Sequence, residues 1–236
     1  MSYERRETHE HTPEVHPRHP QVGRKQMVAS KPAGERAGHC CTPRRSRIRA
    51  APRRGRVGCA SGDVACLIDA IHQANGNGEA NTLTLEAGTY TLTTADLTTA
   101  GANGLPSVTG TITMTGADAE TTILERAVTA LPFRLVHVAV TGNLTLEGLT
   151  LRGGRAVDGG GGLLIEGTVQ LRNSAVVDNA ADDRGGGLSN KGGMAALWGT
   201  LLARNTAQEQ SPNCSGPVTS LGHNRLGDLT DCLLSL

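Results

Sequence analysis

Aromatic residues are scarce in this sequence and make up only 2% of its 236 residues. Beyond residue 3 only Tyr90, Phe133 and Trp198 are present. A globular core of this size usually contains more large rings, because rings bury the most area per residue. Glycine is abundant instead, with 31 residues. The composition therefore favours a fold that stacks small and aliphatic side chains in layers.

Long apolar runs are also missing. No stretch approaches the ~18 apolar residues that a membrane span requires, so we predict no transmembrane segment. The N-terminal part lacks a basic segment followed by a continuous apolar run, and no secretory signal is recognised there.

Residues 1–57 differ from the rest of the chain in charge. They contain 14 of the 23 Lys and Arg residues but five of the 22 Asp and Glu residues, a net charge of +9 against −8 for residues 58–236. This segment has almost no apolar periodicity, so we predict a disordered basic tail that need not belong to the native protein. Nucleic-acid binding by the basic run at 44–56 and metal binding by the tail histidines are the alternatives. For the folded domain we expect no nucleic-acid partner.

The region from residue 143 to residue 207 contains a repeat. Residues 143–156, 168–181 and 194–207 align without gaps, and their starts are 25 and 26 residues apart. Two glycine runs, at 159–162 and 185–187, are also about one period apart. Apolar residues alternate within each unit, which is typical of strands. A fixed period in the twenties indicates stacked units, so we predict a three-sided parallel β-solenoid with about 25 residues per coil and roughly five coils over residues 80–207. A sandwich or barrel of short strands is the alternative.

Residues 62–75 form the one strong helix pattern. Apolar residues recur at helical spacing, Ser61 or Asp63 can cap the start, and an Asn-Gly repeat after Asn75 ends it. Strands are predicted directly afterwards, at 82–85 and 88–93. Because an open coil end exposes unpaired strand edges, we predict that this helix caps the N-terminal end of the solenoid. Further strands are predicted at 111–115, 121–124 and 133–140, with a loop at 96–104.

Four of the six cysteines bracket the two ends of the predicted solenoid. Cys59 and Cys66 flank the helix start, and Cys214 and Cys232 flank the final segment. Each pair can form a disulfide in an oxidising compartment, which favours export. Four buried thiols are the alternative.

Several polar positions recur along the repeat. Asn179 and Asn205 occupy the place of Gly154, and Asn and Gly both tolerate φ > 0, so we predict a structural ladder of stacked amides at a coil corner. Trp198 aligns with polar residues and is predicted to face outward, as an exposed contact or packed under the segment from residue 208 onward. His137 and His223 are interpreted as surface or turn residues.

Particular motifs resemble those of bacterial right-handed parallel β-helix proteins. They are CASGDVACLIDAIHQANGNGEANTLTLEAGTYTLT, GLPSVTGTITMTGADAETTILER, the GGG and N-T-A repeats, and SLGHNRLGD before Cys232. The similar proteins are the secreted or surface proteins of the pectin-lyase-like class, polymorphic-membrane-protein-like or CSLREA-domain proteins. The resemblance covers about residues 58–232 and implies a right-handed β-helix outside the cell or at the outer membrane. Residues 233–236 end the chain abruptly, which suggests a fragment.

Enzymes of this superfold cleave acidic polysaccharides, and the lyases need carboxylates that hold calcium together with a basic residue. The weak candidates here are Asp158, Asp182, Asp183 and Arg184. Asp158 and Asp183 are 25 residues apart and each lies near a glycine run, which predicts stacking about 5 Å apart. The alternatives are neutralisation by Arg184 and solvated turns. We predict no cofactor unless calcium binds this pair.

The overall prediction is an all-β, right-handed parallel β-helix with a helical cap. As its function we predict a non-catalytic extracellular or cell-surface module, adhesin-like or structural, whose partner is a cell-surface glycan or protein. A polysaccharide lyase or other carbohydrate-active enzyme is the first alternative. An inactive fragment of a larger surface protein is the second. The sequence does not predict an oligomeric state.

Overall fold

The computed structural model describes residues 55–98, 100–208, 211–230 and 232–236. The predicted tail lies outside these residues, apart from its last three. Of those, Arg56 and Val57 already belong to a strand, so the tail was predicted to end too late. Within the described residues no helix is long and apolar enough to cross a membrane.

The described chain contains one helix and many short strands. The helix α1 (Val64–Gly76) lies between β1 and β2. In chain order the strands are β1 (Arg56–Cys59), β2 (Ala80–Leu85), β3 (Gly88–Leu92), β4 (Asp96–Thr98), β5 (Gly101–Asn103), β6 (Thr111–Thr115), β7 (Thr122–Arg126), β8 (Val136–Val138), β9 (Asn143–Glu147), β10 (Thr150–Arg152), β11 (Arg155–Ala156), β12 (Leu163–Ile165), β13 (Thr168–Arg172), β14 (Ala175–Val177), β15 (Ala180–Ala181), β16 (Leu188–Asn190), β17 (Met194–Trp198), β18 (Leu201–Ala203), β19 (Thr206–Ala207), β20 (Cys214–Ser220), β21 (Arg225–Leu226) and β22 (Cys232–Ser235).

Parallel pairing dominates the sheets, as the repeat predicts. The largest sheet has 11 strands in the order β1-β2-β6-β9-β13-β17-β20-β16-β12-β8, with β22 added beside β20. A six-stranded sheet runs β21-β18-β14-β10-β7-β3, and a small one runs β11-β15-β19. Strands of successive units stack on one another: β6, β9, β13 and β17 in the largest sheet, β7, β10, β14 and β18 in the six-stranded sheet, and β11, β15 and β19 in the small one. The all-β, parallel, solenoid-like fold is confirmed.

The long strand β20 joins two arms of the largest sheet. Its first residues pair with β16, and its later residues pair with β17. We call β1, β2, β6, β9, β13 and β17 arm 1, and β8, β12 and β16 arm 2. Both arms contribute buried side chains to one apolar core.

The repeat alignment places like residues in register in arm 1. Asn143 pairs with Thr168, and Thr168 pairs with Met194. The alternating apolar positions of the three strands β9, β13 and β17 are all buried. Parallel strands lie about 4.8 Å apart, so each apolar side chain packs on its counterpart in the next unit.

The helix α1 lies against the first strands of the stack, where a cap was predicted. Its N-cap is Asp63, whose carboxylate accepts a hydrogen bond from the backbone N–H of Cys66 at 2.9 Å. The apolar face of Leu67, Ala70, Ile71 and Ala74 is buried in the core. Helix capping by a side-chain oxygen satisfies one of the unpaired N–H groups of the first turn.

Two predicted segments between residues 92 and 140 were wrong in detail. The expected loop at 96–104 is instead an antiparallel hairpin of β4 and β5. The expected strand at 133–140 shortens to Val136–Val138. Arg126 fixes the loop before it by donating to the carbonyl oxygens of Ala127 and Ala130. Because that loop and the hairpin are insertions, the units here are longer than the repeat.

Disulfides join the cysteines as the sequence pairs them. Cys59 in β1 is bonded to Cys66 in α1. Cys214 in β20 is bonded to Cys232 in β22. One bond therefore lies at each end of the described stack.

Candidate functional site

Three polar side chains form a hydrogen-bonded line across arm 2. Val108 forms a parallel bridge with Val138, which sets Ser107 beside His137 on adjacent layers. In the next layer His137 pairs with Leu164, and Glu166 follows immediately after β12. Three successive layers of the stack therefore contribute Ser107, His137 and Glu166 to one place.

The imidazole of His137 lies between a hydroxyl and a carboxylate. Its Nδ1 is 2.8 Å from the Oγ of Ser107, and its Nε2 is 3.2 Å from the Oε2 of Glu166. His137 is only 3% exposed. The interpretation of His137 as a surface or turn residue was therefore wrong, because sequence-distant layers supply both of its partners.

Burial and neighbouring charges set the protonation of His137. Burial lowers the pKa of His137, and the nearby Arg134 lowers it further. The hydrogen bond and charge of Glu166 oppose this, with a smaller contribution from Asp158, but the net pKa lies below its usual value. The imidazole is therefore neutral near pH 7, with one ring nitrogen free to accept a proton.

The end of α1 holds the Ser107 segment in place. The side-chain amide of Asn75 donates to the carbonyl oxygen of Ser107 at 2.8 Å. Its Oδ1 accepts from the backbone N–H groups of Thr109 and Gly110 at 2.9 and 3.1 Å. The sequence predicted Asn75 only as the last helical residue, whereas its side chain fixes a turn more than thirty residues later.

Asp158, one of the predicted acids, lies beside a buried arginine. Arg134 is 1% exposed, and its guanidinium contacts the Asp158 carboxylate at 2.5 Å and donates to the carbonyl oxygen of Gly159 at 2.7 Å. Lys191 approaches the other carboxylate oxygen at 3.9 Å. Because an unpaired buried charge is costly, Asp158 acts here as the counterion of Arg134.

The other predicted acids are engaged with separate partners. Asp182 accepts from Arg155 at 3.3 Å and from Gln208 at 3.0 Å. Asp183 lies 3.8 Å from the neighbouring Arg184. Within the described residues, no group of three or more His, Cys, Asp or Glu side chains is arranged to hold a metal ion. The predicted calcium pair of Asp158 and Asp183 stays a prediction.

Buried amides form a ladder at one corner of the stack. Asn179 donates to the carbonyl oxygens of Leu151 and Val177 and to the Oδ1 of Asn205, at 3.0 to 3.1 Å. The side chain of Asn205 in turn donates to Asn213 at 3.0 Å. The sequence pointed to the first two amides, but Asn213 lies outside the repeat alignment and was missed.

Left-handed backbone at this corner lies one residue before the asparagines. Positive φ occurs at Asp178 (55°) and Arg204 (56°), the positions that align with Gly153 (73°). The asparagines therefore supply hydrogen bonds and not the turn itself. Non-glycine residues in this region are uncommon and carry a cost in backbone strain.

Asp178 and Arg204 face an open groove beside the six-stranded sheet. The groove has a volume of about 610 Å³, and Asn173, which also has positive φ, lines it as well. Nε and Nη2 of Arg204 donate to the two oxygens of the Asp178 carboxylate, at 2.9 and 2.8 Å. This hydrogen bond lowers the pKa of Asp178. The groove is a rigid surface of mixed charge.

Trp198 faces outward, as its position in the repeat indicates. It pairs in register with Arg172 and is 39% exposed. Its ring packs edge-on against His223, with 5.8 Å between ring centroids, and Leu221 lies beside it. Trp198 therefore both contacts the C-terminal segment and keeps part of its surface in solvent.

The comparisons with known proteins give no relative for this arrangement. No family model matches the chain, and neither a curated protein nor a solved structure matches it. The geometry of the described residues is therefore the basis for any functional proposal.

Proposed function

We propose that this chain is a right-handed parallel β-helix of about 25 residues per coil, of the pectin-lyase-like type. We propose that it serves as a rigid extracellular or cell-surface module, adhesin-like or structural. The in-register pairing of Asn143, Thr168 and Met194 supports the coil length. The position of α1 against the first strands supports a capped solenoid.

The observation that carries this proposal is the pair of disulfides at the two ends of the stack. Cys59–Cys66 ties β1 to the cap, and Cys214–Cys232 ties the last strand to β20. Structural disulfides persist mainly in oxidising compartments outside the cytosol. Covalently closed ends also suit a module that must stay folded without chaperones.

A contact surface for such a module is the groove beside the six-stranded sheet. Its walls carry both signs of charge, and its floor includes apolar residues such as Val177 and Leu201. A surface glycan or protein with polar and apolar groups matches this chemistry. The paired charges of Asp178 and Arg204 are pre-organised by their mutual hydrogen bonds, which reduces the entropy lost on binding.

The first experiment tests the compartment. In intact producing cells, the full chain is treated with a membrane-impermeant maleimide before and after reduction, and the cysteines are mapped by mass spectrometry. We expect the four paired cysteines to be protected until a reductant is added. The reductant is membrane-impermeant as well, and lysed cells serve as the control. Cysteines that stay unlabelled in intact cells after reduction, but are labelled in the lysate, would contradict an extracellular module.

The second experiment tests whether the groove binds a surface partner, and it distinguishes this function from the lyase and the inactive fragment. Labelled full-length protein is applied to glycan arrays and to unpermeabilised cells, with Arg204→Glu as the variant and Arg172→Glu, outside the groove, as its control. Saturable binding that only Arg204→Glu weakens supports the proposal. Calcium-dependent release of unsaturated products from pectate, measured by ultraviolet absorbance, would favour the lyase. Folded protein with neither property would favour an inactive fragment.

A further inference from the structure

We propose that Ser107, His137 and Glu166 form a nucleophile–base–acid set that hydrolyses carboxylic esters. This activity goes beyond the proposed role as a surface module and does not depend on it. The three residues come from three successive layers of the stack, so the fold positions them without any loop having to close.

The distances match those needed for an activated serine. A nucleophile and its base lie within about 2.6–3.2 Å of each other, and a third group orients the base. Ser107 Oγ is 2.8 Å from one ring nitrogen of His137, and Glu166 is 3.2 Å from the other. In the common arrangement Nε2 faces the serine and Nδ1 faces the carboxylate. Here the two are reversed, because Nδ1 faces Ser107. The chemistry is the same, because either nitrogen of a neutral imidazole can accept a proton while the other donates.

The surroundings of His137 suit a general base at neutral pH. Burial keeps the ring neutral, and Glu166 accepts the hydrogen bond that selects the tautomer with its proton on Nε2. Nδ1 is then the acceptor for the Ser107 hydroxyl. A general base is most effective when its pKa lies near the working pH, because its proton-accepting form is then populated while it still binds a proton well.

Ser107 carries a backbone donor suited to an oxyanion. The residue is half-buried, unlike the His137 beside it. Its own backbone N–H donates no hydrogen bond to another described residue. In serine hydrolases the N–H of the nucleophile itself is one donor to the developing oxyanion. The side-chain amide of Asn75 holds the Ser107 carbonyl oxygen and so positions the segment that carries the nucleophile.

The reaction balances with water as the second substrate. Ser107 Oγ forms a bond to the acyl carbon while its proton moves to His137 Nδ1, and the oxyanion is stabilised by the Ser107 N–H. The carbon–oxygen bond to the alcohol then breaks, and the alcohol takes the proton from Nδ1. Water attacks the acyl-enzyme and gives a proton to Nδ1. The acyl–Oγ bond breaks, the proton returns to Oγ, and the products are a carboxylic acid and an alcohol.

Covalent labelling of the full-length protein with a fluorophosphonate probe tests the nucleophile. Mass spectrometry is expected to locate the label on Ser107, with no label in Ser107→Ala. Ser215→Ala is the matched control, because Ser215 lies in β20 and pairs with Ser189 of arm 2, not with a histidine. Folding of each variant is checked by circular dichroism and thermal unfolding. No label on folded wild-type protein, or equal label on Ser107→Ala, would overturn the proposal.

Hydrolysis of p-nitrophenyl acetate then tests the base and its orienting acid. His137→Gln is expected to slow hydrolysis by about 10²–10⁴-fold. In wild-type protein kcat/KM is expected to rise with pH through the lowered pKa of His137 and to level off by pH 7. Because Glu166 raises that pKa, Glu166→Gln should lower kcat and move this rise to lower pH. An unchanged profile in Glu166→Gln would remove Glu166 from the set, and unchanged hydrolysis in His137→Gln would refute the mechanism.

Discussion

Replacing Asn205 by alanine tests whether the buried amide ladder stabilises the stack. Asn205 Oδ1 accepts from the backbone and side-chain nitrogens of Asn179, at 3.0 and 3.1 Å. Its own amide donates to the Val176 carbonyl oxygen at 2.9 Å and to Asn213 at 3.0 Å. The change leaves the Asn179 N–H and the Val176 carbonyl without these partners in a buried place.

The expected loss follows from the cost of such groups. Each buried polar group left unsatisfied costs about 1–3 kcal/mol, so Asn205→Ala should lower the free energy of unfolding by about 3 kcal/mol. In a chain of this size that corresponds to a fall in Tm of about 6–12 °C. Calorimetry or denaturant unfolding followed by circular dichroism measures it.

A matched asparagine provides the control for this measurement. Asn143 lies in the same stack, in β9, but its side chain is exposed. Asn143→Ala should therefore change stability by no more than about 0.5 kcal/mol. If Asn205→Ala costs no more than Asn143→Ala, the ladder does not stabilise the corner and the reasoning fails.

Further predictions concern the buried charge, the buried histidine and one disulfide. Asp158→Ala removes the carboxylate that pairs with the buried Arg134. It should lower the free energy of unfolding, measured with a denaturant, by about 3 kcal/mol. The pKa of His137 is lower in the folded state than in the unfolded state, where it is about 6.5. The contribution of His137 to the free energy of unfolding is therefore fully present above pH 6.5. It is lost as the pH falls from that value to the folded-state pKa. Unfolding titrations from pH 5 to 8 measure this slope, which His137→Gln should reduce. Replacing both Cys214 and Cys232 by serine opens a loop with a sequence separation of 18 and should cost about 3 kcal/mol in denaturant unfolding.

Each of these three predictions has a control variant or an outcome that would contradict it. Asp183→Ala should be almost neutral, because Asp183 forms only a long, exposed pair with Arg184. An equal loss at Asp158 and Asp183 would mean that Arg134 does not need its counterion. An exposed histidine, His72, serves for the pH experiment, and the same reduced slope in His72→Gln would remove the assignment to His137. An unchanged midpoint in the double serine variant would show that the disulfide contributes no stability.

The sequence predicted the parallel stack best where its units are regular. Between Asn143 and Ala207 the spacing is nearly constant, so the alignment alone gave the pairing of β9, β13 and β17. The helix pattern and its cap at Asp63 are also local features, and both appear where they were expected. Local periodicity and capping depend on neighbouring residues, which a single sequence displays directly.

The candidate site lay beyond such local reasoning. Ser107, His137 and Glu166 are about thirty residues apart, and the loop before β8 lengthens the unit between Ser107 and His137. Without a constant period, no alignment places Ser107 beside His137. The partner of Asp158 was missed for the same reason, since Arg134 lies one irregular unit earlier. The parallel bridge between Val108 and Val138 places Ser107 beside His137, and only the three-dimensional structure shows this pairing.

The two disulfides also bear on how this protein responds to mechanical force. In a stack where each layer contacts only its neighbours, the terminal layers have one neighbour and peel away most easily. Here the first strand is covalently tied to the cap, and the last strand is tied to β20. Under tension the chain between Cys59 and Cys66 and the chain between Cys214 and Cys232 cannot extend, because each is closed by a covalent bond. Reduction would release both segments, so the reduced protein should reach a greater end-to-end extension when it is pulled than the oxidised protein does.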